Sequence, residues 1–530
     1  MIDATTATDS LAFNGMVATP HELATAAGLA ILRDGGSAID AAICANAVLT
    51  VVYPDQTSIG GDCFLLYHEA RSARLHALNG SGQSAAAASA GALRAAGFER
   101  MPTRGIHTVT VPGTVDAWAT ALERFGRFGL DRLLRPAIGY AREGFPVTAS
   151  LVNRINIAQP VLREFPAIAS LIAPDGSLPV AGSRLRLPPL AMALEMIARD
   201  GRDAFYRGPI ASAIAATATS HGGLLSQDDL ANHSAAWVDP LSSDYRGTVV
   251  AQCPPNSQGL TALIELNLSE LVPVAAWGSA DRLHSLIEAK KLAFDIRDNV
   301  LADPATTEID TDHLVSKAFA RSLWTTRESA MAGDGQPTVA GDTVYLCAVD
   351  RDGNAASLVQ SIYQAFGSGI VVDGFGIVLQ NRGRGFSLDP THPNRFEVGK
   401  RPLHTLMPGM LYRDGHLLGP FGTQGGDAQA QIHLQLVTNL VDHAMSPSQA
   451  IVAPRWLAGG PTGDESRFVT VEGRFPSSTD DELERRGHVV HRTSDFDPDF
   501  GHAQMILRDQ DTGLLRGAAD PRADGLALGW

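Results

Sequence analysis

Three glycine clusters, Gly60-Gly61, Gly367-Ser368-Gly369 and Gly425-Gly426, each lie beside an expected strand or helix end. Paired glycines make turns, or they let a backbone come close to a reacting oxygen. For Gly425-Gly426, just ahead of a helix expected from Ala428, the second use has a definite form: two N–H donors at a helix N-terminus that stabilise an oxyanion. Thr343 is equally ambiguous read alone, because a threonine opening a strand is ordinary β-propensity. Other chemistry is thin. The chain has no GxSxG, GxxxxGK[ST] or HExxH, and Gly367-Ser368-Gly369 lacks the third glycine of a dinucleotide loop. His488 and His491 form an HxxH without a nearby third ligand, and His433 and His443 lie too far apart on one helix to share a turn. No metal site is expected.

The elements that must position these residues fall into two styles. Thr19-Pro20-His21-Glu22 predicts a capping box with proline in the first helical position, and Gly35-Gly36 ends that helix. Ser37 opens a second Ala-rich helix, and Cys63 to Tyr67 reads as a buried strand. From Pro112 to Asn299 the pattern is mostly helical, including Thr114–Arg124, Asp131–Arg142, Pro189–Arg199 and Arg282–Asn299. Near Pro337–Asp342 the chain turns to short strands: Thr343–Val349, Ala355–Ile362, Ile370–Val372, Ile377–Gln380, Met410–Tyr412 and His416–Leu418, then a helix over Ala428–His443. Period analysis reaches a mixed α and β fold whose halves share one core. No linker marks a domain boundary.

The 530 residues are 45% hydrophobic and 19% charged, enough for a substantial core. The formal net charge of -15 has no basic tract, so a nucleic-acid surface is not expected. The four cysteines, Cys44, Cys63, Cys253 and Cys347, are too scattered for a disulfide framework or a zinc knuckle. The first twenty residues have no basic or apolar region of a signal peptide, and no long apolar run follows. The expectation is a cytoplasmic protein with no membrane partner.

Taken in order, GMVATPHELATAAGLAILRDGGSAIDAA (15 to 42), SIGGD (58 to 62), VPGTVDAW (111 to 118), DYRG (244 to 247), DTVYLCAVDRDGNA (342 to 355), FGSG (366 to 369), KRPLHTLMP (400 to 408) and GTQGGDAQ (422 to 429) resemble the γ-glutamyltransferase family of N-terminal-nucleophile hydrolases. The resemblance implies an α+β fold, an αββα four-layer sandwich formed jointly by two chains cut from one precursor. It places the cut between Asp342 and Thr343, giving a large chain 1–342 and a small chain 343–530 that begins with the nucleophile Thr343. The cut has a chemical reason: a threonine hydroxyl is a poor nucleophile at neutral pH, and a freed α-amine beside it accepts its proton. By the same resemblance Ser361 positions the nucleophile and the amides of Gly425 and Gly426 form the oxyanion hole. No cofactor is implied, and the assembly is a heterodimer or a dimer of heterodimers.

The substrate-binding positions depart from the family pattern. Relatives acting on γ-glutamyl compounds hold the α-carboxylate with an arginine, and the nearest position here is Asn79. Their aspartate for the α-amino group is replaced by Gly385, an asparagine by Tyr363, and paired serines by His404-Thr405. Arg382 and Arg384 stand nearby, so a pocket into which they point favours an anion without a free amine. The segment from Phe386 to Lys400 is short beside relatives that carry a lid. The expected substrate is therefore a small acidic amide: a γ-glutamyl compound such as glutathione, the chemistry implied by the resemblance, with oxamate or a glutaryl-type amide as alternatives. An uncleaved ligand-binding protein is the alternative from another class, and retention of Thr343, Gly425 and Gly426 argues against it.

Overall fold

The computed structural model describes residues 8–326, 342–459 and 468–530. The turn expected from Pro337 lies outside these as far as Gly341. Two seven-stranded sheets organise the described residues. Their strands in chain order are β1 (Ser10–Ala12), β2 (Met16–Thr19), β3 (Asp62–Glu69), β4 (Arg74–Gly80), β5 (Ala236–Val238), β6 (Leu241–Tyr245), β7 (Thr248–Gln252), β8 (Asp342–Val349), β9 (Ala355–Tyr363), β10 (Gly409–Arg413), β11 (His416–Thr423), β12 (Ala503–Arg508), β13 (Leu515–Ala519) and β14 (Leu526–Gly529). One sheet runs β1-β13-β12-β11-β10-β7-β6, the other β14-β2-β8-β9-β3-β4-β5. Each sheet contains strands from both sides of the Asp342-Thr343 bond.

Alternation along β8 shows how the layers stack. Val344, Leu346 and Ala348 join a core with the helices α1 (Glu22–Arg33) and α2 (Ala38–Val52). Tyr345, Cys347 and Val349 face the other way, into a core shared with Ala251, Met410 and Ile506 of the second sheet. Three helices, α3 (Gly259–Ser269), α4 (Ala280–Val300) and α5 (Gln429–Asp442), cover that sheet's outer face through Leu263, Leu283, Ile432 and their neighbours. Central strands buried on both faces explain why β8 and β9 read as nearly continuous apolar runs. The result is mixed α and β, with two sheets face to face and helices outside both.

Several local expectations shift. The first helix is capped by His21, whose ring accepts from Leu23 N, because Thr19 is held extended in β2 opposite Leu526. The second does open with the reciprocal Ser37/Asp40 capping box. The helix expected over 131–142 breaks at Leu134 into Leu130–Leu133 and Arg135–Glu143, since Pro136 has no N–H to continue the ladder. The stretch read as helical to Asn299 contains the β6/β7 hairpin. Its turn uses Arg246 and Gly247, both at positive φ, as a two-residue hairpin loop demands. No described helix is long and apolar enough to cross a membrane.

Candidate active site

Thr343 sits second in β8, on the face between the sheets, and is buried. The antiparallel register places it directly opposite Ser361 of β9, while Asp342 pairs with Tyr363, so the ladder bulges at the Asp342-Thr343 peptide bond. Bulges re-aim side chains and are frequent beside active sites. Here the Thr343 hydroxyl donates to Ser361 Oγ at 3.0 Å, and Ser361 Oγ donates to the Asp342 carbonyl oxygen at 2.7 Å. The Tyr363 N–H also donates to Ser361 Oγ, at 2.7 Å. Ser361 thus links the threonine hydroxyl to the carbonyl of the preceding residue, an arrangement able to polarise that carbonyl while orienting the hydroxyl.

Burial and the nearby Asp55 carboxylate push the Asp342 carboxyl up to about 7. Asp55 itself is paired with Arg154 at 2.6 Å. Arg104 donates to the carbonyls of Ala365 and Gly367, fixing the loop that follows β9.

Gly425 and Gly426 lie between β11 and α5 with φ of 138° and 55°. Residues other than glycine rarely adopt the first of these. Gln258 Nε2 donates to the Gly426 carbonyl at 3.1 Å and to the Thr405 carbonyl at 3.0 Å. Arg297 Nη1, from α4, reaches both Gln258 Oε1 and Asp427 Oδ1 at 3.2 Å. Burial first, and then the Asp427 charge, raise the pKa of the Tyr363 phenol, so this turn is electrostatically coupled to the residue opposite Asp342. Gln258, Arg297 and Asp427 were not singled out from the sequence. Only the position of Asp427 directly after the glycine pair signalled any of them.

Arg382 and Arg384 occupy one short 3₁₀ turn, Arg382–Gly385. Arg382 is buried, stacks over the Tyr363 ring at 3.7 Å and donates to Thr405 Oγ1 at 3.1 Å. Tyr363 holds a φ of 80°, unusual for an aromatic residue. Arg384 is half-buried, and its Nη1 is wholly buried with no hydrogen-bond partner among the described residues. A buried guanidinium nitrogen without an acceptor is costly and suits an anion. A Cβ on Gly385 would meet only the Leu403 carbonyl, at 3.5 Å, so the position carries no side chain although there is room for one.

His404 and Asn79, expected at the substrate, are both hydrogen-bonded within the protein. His404 Nε2 lies 3.1 Å from Asp62 Oδ2, and His404 Nδ1 accepts from Leu406 N, which assigns the proton to Nε2. Burial, then Arg382, hold the His404 pKa far below its ordinary value, making this contact a hydrogen bond rather than an ion pair. Asp62 also accepts from the N–H groups of Gly82 and Gly113, and burial lifts its carboxyl to about 7. Asn79 is engaged with Asn256 and Ser81. The Phe386–Lys400 segment folds down through Phe386, Leu388 and Phe396 onto Leu93 and Met101.

Residues 24–530 match the family described as gamma-glutamyltranspeptidase. The chain is 41% identical over 520 residues to the glutathione hydrolase-like YwrD proenzyme of Bacillus subtilis, spanning 97% of this chain and 98% of that one. It is 39% identical over 526 residues to the oxamate amidohydrolase proenzyme of Klebsiella pneumoniae, spanning 98% of each. The crystal structure of cephalosporin acylase from Bacillus halodurans superposes with a TM-score of 0.92 at 39% identity, covering 99% of this chain and 97% of that one. The resemblance drawn from the ordered motifs holds along nearly the whole length, and this chain belongs to the gamma-glutamyltranspeptidase family.

Proposed function

We propose that the chain is a self-processing amidohydrolase in which Thr343 acts twice. In the precursor its Oγ1 attacks the Asp342 carbonyl carbon, the peptide C–N bond breaks, and the nitrogen leaves as the Thr343 α-amine while an ester forms. Water hydrolyses the ester, freeing the Asp342 α-carboxylate and restoring the hydroxyl. The large chain 1–342 and small chain 343–530 then remain together as a heterodimer, because both contribute strands to both sheets. In turnover the α-amine takes the Oγ1 proton as the oxygen attacks a substrate amide, and the Gly425 and Gly426 N–H groups hold the oxyanion. Collapse expels the amine or ammonia, and water releases the acid from the acyl-threonine.

The observation that carries this reading is the chain of hydrogen bonds from Thr343 Oγ1 through Ser361 Oγ to the Asp342 carbonyl. For the substrate, the buried Arg384 nitrogen beside Arg382, without a partner among the described residues, favours an acyl group bearing a carboxylate, and no carboxylate at Gly385 invites an ammonium. Relatives named for glutathione hydrolysis and for oxamate define the two substrates to compare.

Intact mass under denaturing conditions tests the first half. Apportioning 56.0 kDa by length predicts chains of about 36 and about 20 kDa with Thr343 as a new N-terminus. Thr343→Ala remains one species and has no turnover. Wild-type protein that stays whole and inactive for days overturns the proposal. For the substrate, ammonia release from oxamate is compared with p-nitroaniline release from its γ-glutamyl derivative. Arg384→Ala raises KM for the carboxylate-bearing substrate about 10- to 100-fold, as loss of a charge-assisted hydrogen bond does. An unchanged KM removes Arg384 from the pocket.

A further inference from the structure

Helix α4 carries His284 and Glu288 four residues apart, hence one above the other on the same face. Against that face comes His488, buried at 5% exposure, the residue before the strand Val489–Thr493. His284 Nδ1 and His488 Nε2 are 2.8 Å apart, and one ligand atom from each of His284, Glu288 and His488 lies within 4.8 Å of the others. The sequence pairs His488 with His491, but His491 is exposed and stacks on Phe468 at 4.7 Å. The partners that matter to His488 come from two hundred residues earlier in the chain.

We propose that His284, Glu288 and His488 form a binding site for a divalent cation of the zinc class, joining a helix that precedes the Asp342-Thr343 bond to a segment that follows it. Two imidazole nitrogens and one carboxylate are the donors that zinc and its first-row neighbours take, whereas calcium and magnesium prefer oxygen ligands alone. Three protein ligands leave a fourth position for water. Zinc–nitrogen bonds of about 2.0–2.1 Å in tetrahedral array separate the two nitrogens by about 3.3 Å, so the rings need part by only about half an ångström. Lys291 Nζ, 2.8 Å from Glu288 Oε1, is the cation that the metal would displace or share that carboxylate with.

The position sets the consequence. Arg297, which contacts Asp427, lies nine residues beyond Glu288 along α4, about 14 Å along the axis. The metal would touch none of the reacting groups and would act as a clip between the two chains that processing creates. That last role rests on the processing proposed above, while cation binding itself does not.

The full-length protein, stripped with a chelator, is titrated with Co²⁺ and read by visible absorption. The expected result is one equivalent bound with the ligand-field spectrum of a four- or five-coordinate site, displaced by Zn²⁺. His488→Ala weakens binding by more than the roughly 10- to 100-fold that loss of an outer-shell partner costs. The milder Glu288→Gln also weakens it, and His491→Ala leaves it unchanged. Zn²⁺ raises the thermal midpoint of the wild type and not of His488→Ala. Absence of bound Co²⁺, or binding that survives both His488→Ala and Glu288→Gln undiminished, overturns the site. A Zn²⁺ effect equal in the uncleaved Thr343→Ala precursor and the mature pair overturns the clip alone.

Discussion

Two Gly-Gly-Asp triplets border the site, one entering β3 at Gly60-Gly61-Asp62 and one leaving β11 at Gly425-Gly426-Asp427. In the first, neither glycine has a positive φ, yet a Cβ on Gly60 would overlap the Val378 carbonyl and one on Gly61 the Ser361 carbonyl. Glycine is there because two backbones pass too close for any side chain. In the second, both glycines are at positive φ, and a Cβ on Gly425 would first meet only the movable end of Ile432, at 3.2 Å. Glycine is there for its torsion angles, which set where the N–H groups point. The aspartates divide likewise: Asp62 is locked by Gly82, Gly113 and His404, whereas Asp427 is held by Arg297. The same three letters serve packing in one place and backbone direction in the other.

That contrast breaks most visibly at Gly61. Gly61→Ala, made in the Thr343→Ala background so that processing does not interfere, forces a central strand apart and should cost more than about 4 kcal/mol, the range of diagnostic core disruptions. Soluble yield and thermal unfolding measure it, and a midpoint within two or three degrees of the parent would show that the strands yield. Gly425→Ala should cost less stability, about 1–3 kcal/mol of backbone strain, but lower kcat about 10²- to 10³-fold in the protein that folds and matures. Full kcat there would remove the turn from the oxyanion role.

The smallest effect concerns the first aspartate and sharpens its structural assignment. With a folded-state pKa of about 7 against 3.8, Asp62 binds its proton more tightly when folded. Its contribution is fully present below the unfolded value and is lost as pH rises through about 7. The stability deficit of Asp62→Asn relative to its parent should therefore shrink from about pH 5 to about pH 8, read as the difference in thermal midpoint. A deficit that grows over that window contradicts the assignment.

Legibility differed by region for physical reasons. The strand Thr343–Val349 and the helix after Gly426 could be read directly, because a buried central strand and a long buried helix write their apolar pattern locally. The β6/β7 hairpin was missed because its strands are short and its turn sits inside a helical stretch. His404 and Asn79 stood out as replaced family positions, yet their side chains are engaged with Asp62 and with Asn256 and Ser81. Gln258 and Arg297 gave no local signal, since their role exists only once α3 and α4 lie against the Gly426 turn.

By itself the sequence determined the family, the order of the motifs, and that Thr343 opens a strand. The first two rest on the resemblance of ordered motifs, and the strand on the apolar run that follows Thr343 along the chain. Tertiary structure alone decided that Ser361 bridges Thr343 to the Asp342 carbonyl, that Arg384 keeps a nitrogen without a partner among the described residues, and that His488 meets His284 rather than His491. Each depends on groups brought to hydrogen-bonding distance by sheet register or helix packing. Such meetings are set by the balance of the whole core, and no local stretch of residues encodes them.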